Sequence, residues 1–199
     1  MDRERRTIRL SEYDYSNEGA YSITVCVHGR LCLFGEIANE KTILSRYGSI
    51  VQRCWDQLTD HYTGIELDTF VIMPNHVHAI IIITDDIVVK RDGVPIIPVG
   101  AGLKPADMPV MPFVGAGFKP APTGTKRHGL PEIIRAFKTF SAREINRVRN
   151  APGRPIWQRN YYEHIIRKGD EYRRIKRYLL ENPANWSQDD ENPNRISCK

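Results

Sequence analysis

The spacing of apolar residues along the chain predicts alternating strands and helices. Short β-branched and aromatic runs, typical of strands, occur at residues 21–27, 65–73, 76–84, 155–158 and 162–167. Apolar residues recur at intervals of three and four, the period of an amphipathic helix, at residues 41–61, 130–149 and 170–182. With the two short runs at residues 155–158 and 162–167 counted as one strand, the main elements follow the order β-α-β-β-α-β-α.

This order predicts an α+β fold, a ferredoxin-like antiparallel sheet with helices on one face and a C-terminal helix that follows the last strand. At 199 residues the chain has the size of one ordinary domain, which can bury a core without disulfides or structural metals. We therefore expect a single domain over residues 1–199.

One segment, residues 85–129, interrupts the pattern, because periodicity is lost and proline and glycine become frequent. It contains VGAGLKPA at residues 99–106 and VGAGFKPA at residues 114–121. Two short copies are too few for a solenoid, which needs at least about three stacked units. We interpret the segment as a long surface insertion.

Positive charge is concentrated in the second half of the chain. The net charge is +5 and the pI is about 9.1, and residues 126–178 contain fifteen Lys or Arg against five Asp or Glu. Such a basic region favours a polyanionic partner such as nucleic acid. Asp189, Asp190 and Glu191 follow as an acidic tail.

The cysteine and apolar content indicates a cytoplasmic protein without a membrane segment. The four cysteines form no CxxC pair, and the first ten residues, MDRERRTIRL, lack the apolar run of a signal peptide. The most apolar stretch, VHAIIIIT, is far shorter than the roughly 20 residues of a membrane span. We interpret it as a buried strand.

Two histidines at the start of that strand form a candidate metal site. His76 and His78 are separated by one residue, so both side chains leave the same face of the sheet, with Cα atoms roughly 7 Å apart. Val77 and Ala79 then point to the core. Two imidazoles so placed can converge on one cation, although a pair of solvated or hydrogen-bonded histidines has the same spacing.

The last helix holds a candidate nucleophile. Tyr178 and Asn182 are four residues apart and therefore share a helix face. The Asn182 carbonyl oxygen is a hard donor suited to Mg²⁺ or Mn²⁺, and two imidazoles plus one amide leave positions for water and phosphate oxygens. A core tyrosine and a helix-ending asparagine are the alternatives. Rival nucleophiles nearby are Tyr161, Tyr162 and Tyr172.

Three ordered motifs carry a family resemblance: MPNHVHAIIII, WQRNYYEHIIR and EYRRIKRYLLENP. Together they resemble the single-tyrosine transposases of the HUH superfamily, in particular the group associated with repetitive extragenic palindromes (REP). The resemblance covers nearly the whole chain except residues 85–129.

The resemblance implies a metal-dependent DNA transposase or endonuclease. It would cleave and rejoin single-stranded, hairpin-bearing DNA through a 5′-phosphotyrosine intermediate, with Mg²⁺ or Mn²⁺ as cofactor. By the match, His76 and His78 are the metal pair, Asn182 is the third ligand and Tyr178 is the nucleophile, in agreement with the choice made from spacing. Both a monomer and a homodimer remain open.

Substrate binding is expected to use basic residues of the last two helices and the segment between them. The candidates are Arg135, Lys138, Arg143, Arg147, Arg159, Arg167, Arg173, Arg174 and Arg177. His164 is a candidate supporting residue, with a structural role as its alternative. Trp157, Tyr161 and Tyr162 would either stack on unpaired bases or pack in the core.

Three other functions remain as alternatives. A catalytically inactive, domesticated relative would bind hairpin DNA without needing the Tyr178 hydroxyl. A nicking relaxase or replication initiator would use the same chemistry, but the chain has no helicase or primase domain. A zinc hydrolase is disfavoured because no Glu or Cys follows the histidines at a usual ligand spacing.

Overall fold

The computed structural model describes residues 13–89 and 129–195. The strands in these ranges are β1 (Gly19–Cys26), β2 (Gly35–Ala38), β3 (Lys41–Leu44), β4 (Tyr62–Ile72), β5 (His76–Val89) and β6 (Tyr162–Ile166). The helices are α1 (Arg46–Asp56), α2 (Leu58–His61), α3 (Leu130–Val148) and α4 (Gly169–Glu181). None of these helices has the length and apolar character needed to cross a membrane.

Within the described residues, the larger sheet has the strand order β4-β5-β1-β6, and every neighbouring pair is antiparallel. The two strands that begin and end the β-α-β-β-α-β pattern are therefore adjacent, and the middle hairpin lies on one side of them. This is the ferredoxin-like arrangement, so the predicted α+β class is confirmed. β5 and β1 occupy the centre, where backbone groups are paired on both sides.

One face of the sheet packs against α1 and α3. Val77, Ala79 and Ile81 of β5 belong to this main core. The Trp55 ring of α1 stacks on Phe70 with centroids 4.4 Å apart, and Phe137 of α3 meets Trp55 edge-on at 5.3 Å. Since residues alternate along a strand, the neighbours of the three β5 residues face the other way.

The opposite face packs against α4. A second, smaller apolar cluster lies there and includes Ile80 of β5, Leu179 of α4 and Met73, which follows β4. The predicted arrangement of helices on one face, with the C-terminal helix added, is confirmed, and that helix covers the face to which His76 and His78 belong.

The predicted helix at residues 41–61 is wrong at its start. Lys41–Leu44 is strand β3, which pairs with β2 across a tight turn in which Asn39 and Glu40 have φ of 50° and 61°. Two positive φ values favour this type of hairpin turn. The helix begins only at Arg46, because the Ser45 side chain caps it by accepting the backbone N–H groups of Tyr47 and Gly48.

Both ends of the predicted insertion, residues 85–129, belong to described elements. Residues 85–89 continue β5, and Thr63 and Tyr62 of β4 pair with Val88 and Val89. Gly129 already serves as the N-cap of α3. Both copies of the repeated octapeptide, at residues 99–106 and 114–121, lie outside the described residues.

A glycine in the first turn of α1 permits close packing against the preceding loop, and we expect Gly48→Ala to destabilise the protein. A Cβ at Gly48 would lie 2.1 Å from the Phe34 carbonyl oxygen. Overpacking typically costs about 1–3 kcal/mol, more than the ~1 kcal/mol that alanine gains in helix propensity. Urea unfolding should show a net loss of stability of up to about 2 kcal/mol. Arg46→Ala, at an exposed position of the same helix, is the control, and a stabilised Gly48→Ala protein would contradict this packing.

Candidate metal centre and nucleophile

β5 brings His76 and His78 together on the α4 face of the sheet. Their Nε2 atoms are 3.0 Å apart. Metal–nitrogen bonds of about 2.0–2.1 Å place neighbouring imidazole ligands at about this separation. Both rings are buried. The strand geometry therefore produces the convergence that the spacing predicted.

Asn75 fixes the orientation of the first imidazole. Its Nδ2 donates to the carbonyl oxygens of Arg30 and Glu191, at 3.2 and 2.6 Å. Since both of these partners are acceptors, the amide oxygen Oδ1 faces His76 Nδ1 at 2.8 Å. Nδ1 must then carry the proton and donate it, which leaves the lone pair of Nε2 for a cation.

Thr24 of β1 supports the second imidazole. It lies directly opposite His78 in the sheet register, and Thr24 Oγ1 is 2.8 Å from His78 Nδ1. A proton on Nδ1, donated to this hydroxyl, makes Nε2 of His78 the second metal-binding atom. With the proton of each ring on Nδ1, both Nε2 lone pairs are available to a cation held between them.

Burial keeps both histidines neutral. It lowers the pKa of His76 to about 4 and that of His78 to about 3, where the neighbouring His76 lowers it further. Near pH 7 both rings are neutral, with one ring nitrogen free of a proton, which is the form that binds metal. The contact of 3.9 Å between His76 Nε2 and Asp189 Oδ2 is therefore not a salt bridge at that pH, although the distance alone would allow one.

α4 presents Tyr178 beside the pair. Its ring centroid is 6.1 Å from that of His78, and its side chain is 58% exposed. The next residue, Leu179, is buried in the second apolar cluster and anchors the helix. The tyrosine hydroxyl is thus open to a ligand in solution while its helix stays fixed.

Asn182 lies one turn further, at the end of α4. It keeps helical φ and ψ of −59° and −41° although proline follows, so it remains in register with Tyr178. Its side chain is 2% exposed, and among the described residues its Oδ1 has no hydrogen-bond partner. An unsatisfied buried oxygen costs about 1–3 kcal/mol, which a bound cation would offset. An amide oxygen left without a partner in this way is a donor of the type that suits a divalent cation.

Asp189 is a site residue that the sequence analysis missed. It was assigned to an acidic tail, but its side chain is only 8% exposed and lies next to His76. The ligand atoms of His76, His78 and Asp189 all lie within 4.8 Å of one another. The Trp186 ring, 6.1 Å from His76, covers the same side. No local sequence pattern predicts that Asp189 lies at this site, because tertiary contacts bring it to the histidines.

The rival tyrosines occupy different surroundings. Tyr162 of β6 is 57% exposed and lies opposite Thr24, which also pairs with His78, so one strand separates Tyr162 from the histidines. Tyr172 packs against the second apolar cluster, and burial together with Asp68 raises its pKa. Tyr161 packs against the main core. Of these tyrosines, Tyr162 matches Tyr178 in exposure.

His164 has a structural contact in this arrangement. Its Nε2 is 2.8 Å from Glu171 Oε1, and Glu171 Oε2 accepts the backbone N–H of Arg167 at 3.0 Å. These bonds join the end of β6 to the first turn of α4. The hydrogen bond from the backbone N–H of Arg167 is the main cause that lowers the pKa of the Glu171 carboxyl, and the hydrogen bond with His164 is the second.

The predicted DNA-binding residues fall on two sides of the sheet. Those near Tyr178 are exposed on β6–α4: Arg167, Arg173, Arg174 and Arg177. Those on α3 belong to the helix on the opposite face: Arg135, Lys138, Arg143 and Arg147. Lys138 Nζ donates to the backbone carbonyl oxygens of Gln158 and the exposed Arg159, at 2.7 and 3.0 Å. Trp157 is buried in the main core.

The fold and site define a ferredoxin-like protein with a buried histidine pair beside an exposed tyrosine. No protein-family model matches the chain. An uncharacterized protein of Haemophilus influenzae is 36% identical over 188 residues, which cover 93% of this chain and 91% of that protein. The chain therefore belongs to the same family as the Haemophilus protein.

A solved structure, a REP-associated tyrosine transposase bound to a REP hairpin, is similar over 89% of this chain and 74% of that one. The sequences are 17% identical and the TM-score is 0.46. The strand order β4-β5-β1-β6 by itself identifies the ferredoxin-like fold of this chain.

We expect Thr24→Val to weaken metal binding. The substitution keeps the side-chain shape but removes the partner of His78 Nδ1, and loss of such a supporting bond typically lowers metal affinity by about 10–100-fold. Titration calorimetry with Mn²⁺ measures the change. Thr42→Val is the matched control, because Thr42 Oγ1 is buried without a hydrogen-bond partner in the described chain. Equal affinities of the Thr24 variant and the wild type would refute the supporting role.

Proposed function

We propose that this protein cleaves and rejoins single-stranded DNA, with Tyr178 as nucleophile and a divalent cation held by His76, His78 and Asn182. The observation that carries the proposal is the pair of converging Nε2 atoms, 3.0 Å apart, with the exposed Tyr178 ring 6.1 Å from His78. A nucleophile beside a cation site is an arrangement that supports phosphodiester cleavage, because the cation neutralises charge on the phosphate that the nucleophile attacks.

The chemistry needs no external energy source. Tyr178 Oη attacks the phosphorus, the bond from phosphorus to the 3′ oxygen breaks, and the phosphate stays on the tyrosine as a 5′-phosphotyrosyl ester. The phenol proton passes to solvent, which reaches the exposed hydroxyl, and the leaving 3′ oxygen takes up a proton. A bound Mg²⁺ or Mn²⁺ supplies charge neutralisation for the phosphate. Attack by a 3′-OH on the ester reverses the step and rejoins a strand.

Charge around the nucleophile supports a nucleic-acid substrate. Arg174 and Arg177 are exposed on the same helix as Tyr178. Arginine side chains in such positions contact phosphates and make binding strongly dependent on salt. A DNA hairpin with single-stranded flanks is the first probe, because the motifs around the histidines and Tyr178 resemble those of the REP-associated tyrosine transposases.

We expect Tyr178→Phe to abolish a covalent protein–DNA adduct. Wild-type protein incubated with labelled hairpin oligonucleotides and Mg²⁺ or Mn²⁺ should give a species that survives SDS, because the phosphotyrosyl bond is covalent. Tyr162→Phe is the matched control, since Tyr162 and Tyr178 are 57% and 58% exposed. His76→Ala should lower the yield of adduct by removing a metal ligand.

Each other outcome of the adduct assay has a definite meaning. An adduct lost in Tyr162→Phe but kept in Tyr178→Phe would move the nucleophile to β6. Hairpin binding without any adduct, unchanged by Tyr178→Phe, would favour the catalytically inactive DNA-binding relative. Cleavage without a covalent species would indicate water as the nucleophile.

We expect Arg174→Gln and Arg177→Gln to weaken hairpin binding and to lower its salt dependence. Each lost phosphate contact should reduce the slope of log affinity against log salt by about 1. Fluorescence anisotropy at several salt concentrations measures the slope. Arg135→Gln is the control, because α3 lies on the opposite face of the sheet. An equal change in the Arg135 variant would place the DNA against α3 instead.

A further inference from the structure

The chain beyond α4 folds back over the histidine pair. We call residues 183–195 the C-terminal strap. It leaves α4 at Pro183, forms a 3-10 turn at Trp186–Gln188 and turns again, where Asn192 Nδ2 donates to the Trp186 carbonyl oxygen at 2.9 Å. The Trp186 ring lies against His76. The strap is therefore an ordered part of the site.

Two residues from distant parts of the chain hold the strap in place. Arg30, in the turn after β1, forms a salt bridge with Glu191, its Nε 3.1 Å from Oε2, and donates from Nη1 to the Asp190 carbonyl oxygen at 3.4 Å. Asn75 Nδ2 donates to the Glu191 carbonyl oxygen at 2.6 Å. Because Asn75 also orients His76, one amide connects the strap to a proposed metal ligand.

These contacts aim the Asp189 carboxylate at the histidines. Oδ1 accepts the backbone N–H of Glu191 at 2.7 Å, which fixes the carboxylate plane. Oδ2 then lies 3.9 Å from His76 Nε2, too far for a hydrogen bond but suited to two donors that share one ion. The three ligand atoms of His76, His78 and Asp189 lie within 4.8 Å of one another.

Building on the cation site of the proposed function, we infer that Asp189 is an additional metal ligand, supplied by the C-terminal strap. The inference follows from charge as well as distance. Two neutral imidazoles and the Asn182 amide carry no negative charge, whereas Mg²⁺ and Mn²⁺ prefer carboxylate oxygen. Asp189 provides that charge, and the cation in turn compensates a carboxylate that is largely removed from water.

The inference assigns different roles to two adjacent acidic residues. Asp189 is nearly buried and faces the histidines, whereas the Asp190 side chain is 89% exposed and pairs with Arg195. Neutralising Asp190 changes the total charge of the strap by the same amount without touching the ion. Asp190→Asn is thus the matched control for Asp189→Asn.

The test is Mn²⁺ binding to the full chain without DNA, with free Mn²⁺ followed by electron paramagnetic resonance. We expect Asp189→Asn to weaken binding by at least about tenfold, because the amide oxygen that replaces the carboxylate offers no negative charge to the cation. Asp190→Asn should stay within about twofold of the wild type, and His78→Ala should abolish binding. Wild-type affinity in Asp189→Asn overturns the inference, as does an equal loss in both aspartate variants or no binding to the wild type.

Thermal unfolding with and without Mn²⁺ shows whether each variant is folded and gives a second measure of metal binding. Each variant should unfold cooperatively without metal, and the rise in Tm on adding Mn²⁺ should be smaller for Asp189→Asn than for Asp190→Asn, since stabilisation follows the ratio of metal concentration to Kd. An equal rise in both variants overturns the inference. The proposed function fails separately, in the adduct assay of Tyr178→Phe, because Mn²⁺ binding does not depend on the tyrosine.

Discussion

The close approach of two imidazole nitrogens on the same face of β5 is the constraint on which the rest of the site depends. β5 is a central strand, so its backbone is bonded on both sides, and Val77 locks its other face into the main core. The Nε2 atoms of His76 and His78 meet at 3.0 Å because the strand is rigid and because Asn75 and Thr24 hold the outer nitrogens. A looser element would let the rings rotate apart.

The two faces of the sheet differ in composition, because one holds the main apolar core and the other holds the proposed site. Its α1 and α3 face holds the stacked aromatic rings and most of the buried apolar residues. Its α4 face holds a much smaller apolar cluster together with the histidines, Asn182 and Asp189. Polar groups are costly in a core, so their segregation on one face lets the protein retain a well-packed interior while keeping ligand atoms in place.

The sequence predicted what depends on local periodicity. The order of the main strands and helices along the chain, the shared face of His76 and His78, and the helical spacing of Tyr178 and Asn182 follow from periods of two and 3.6 residues. The β2–β3 hairpin was missed because its strands are four residues long and Ile43 and Leu44 also fit the helical period. Asp189 was missed because its position depends on contacts with the remote Arg30 and Asn75, for which a sequence of acidic residues carries no signal.

The contacts that hold the strap join residues far apart in the sequence, which has a consequence for folding. Asn75 and Glu191 are 116 positions apart, and Arg30 and Asp190 are 160 apart, yet each pair must meet for the strap to dock. Contacts between such distant positions contribute only after long loops have closed, which costs conformational entropy. A chain still being synthesised therefore has its central histidine strand before the strap can dock. The proposed metal site is therefore complete only when residues 189–191 have docked against Arg30 and Asn75.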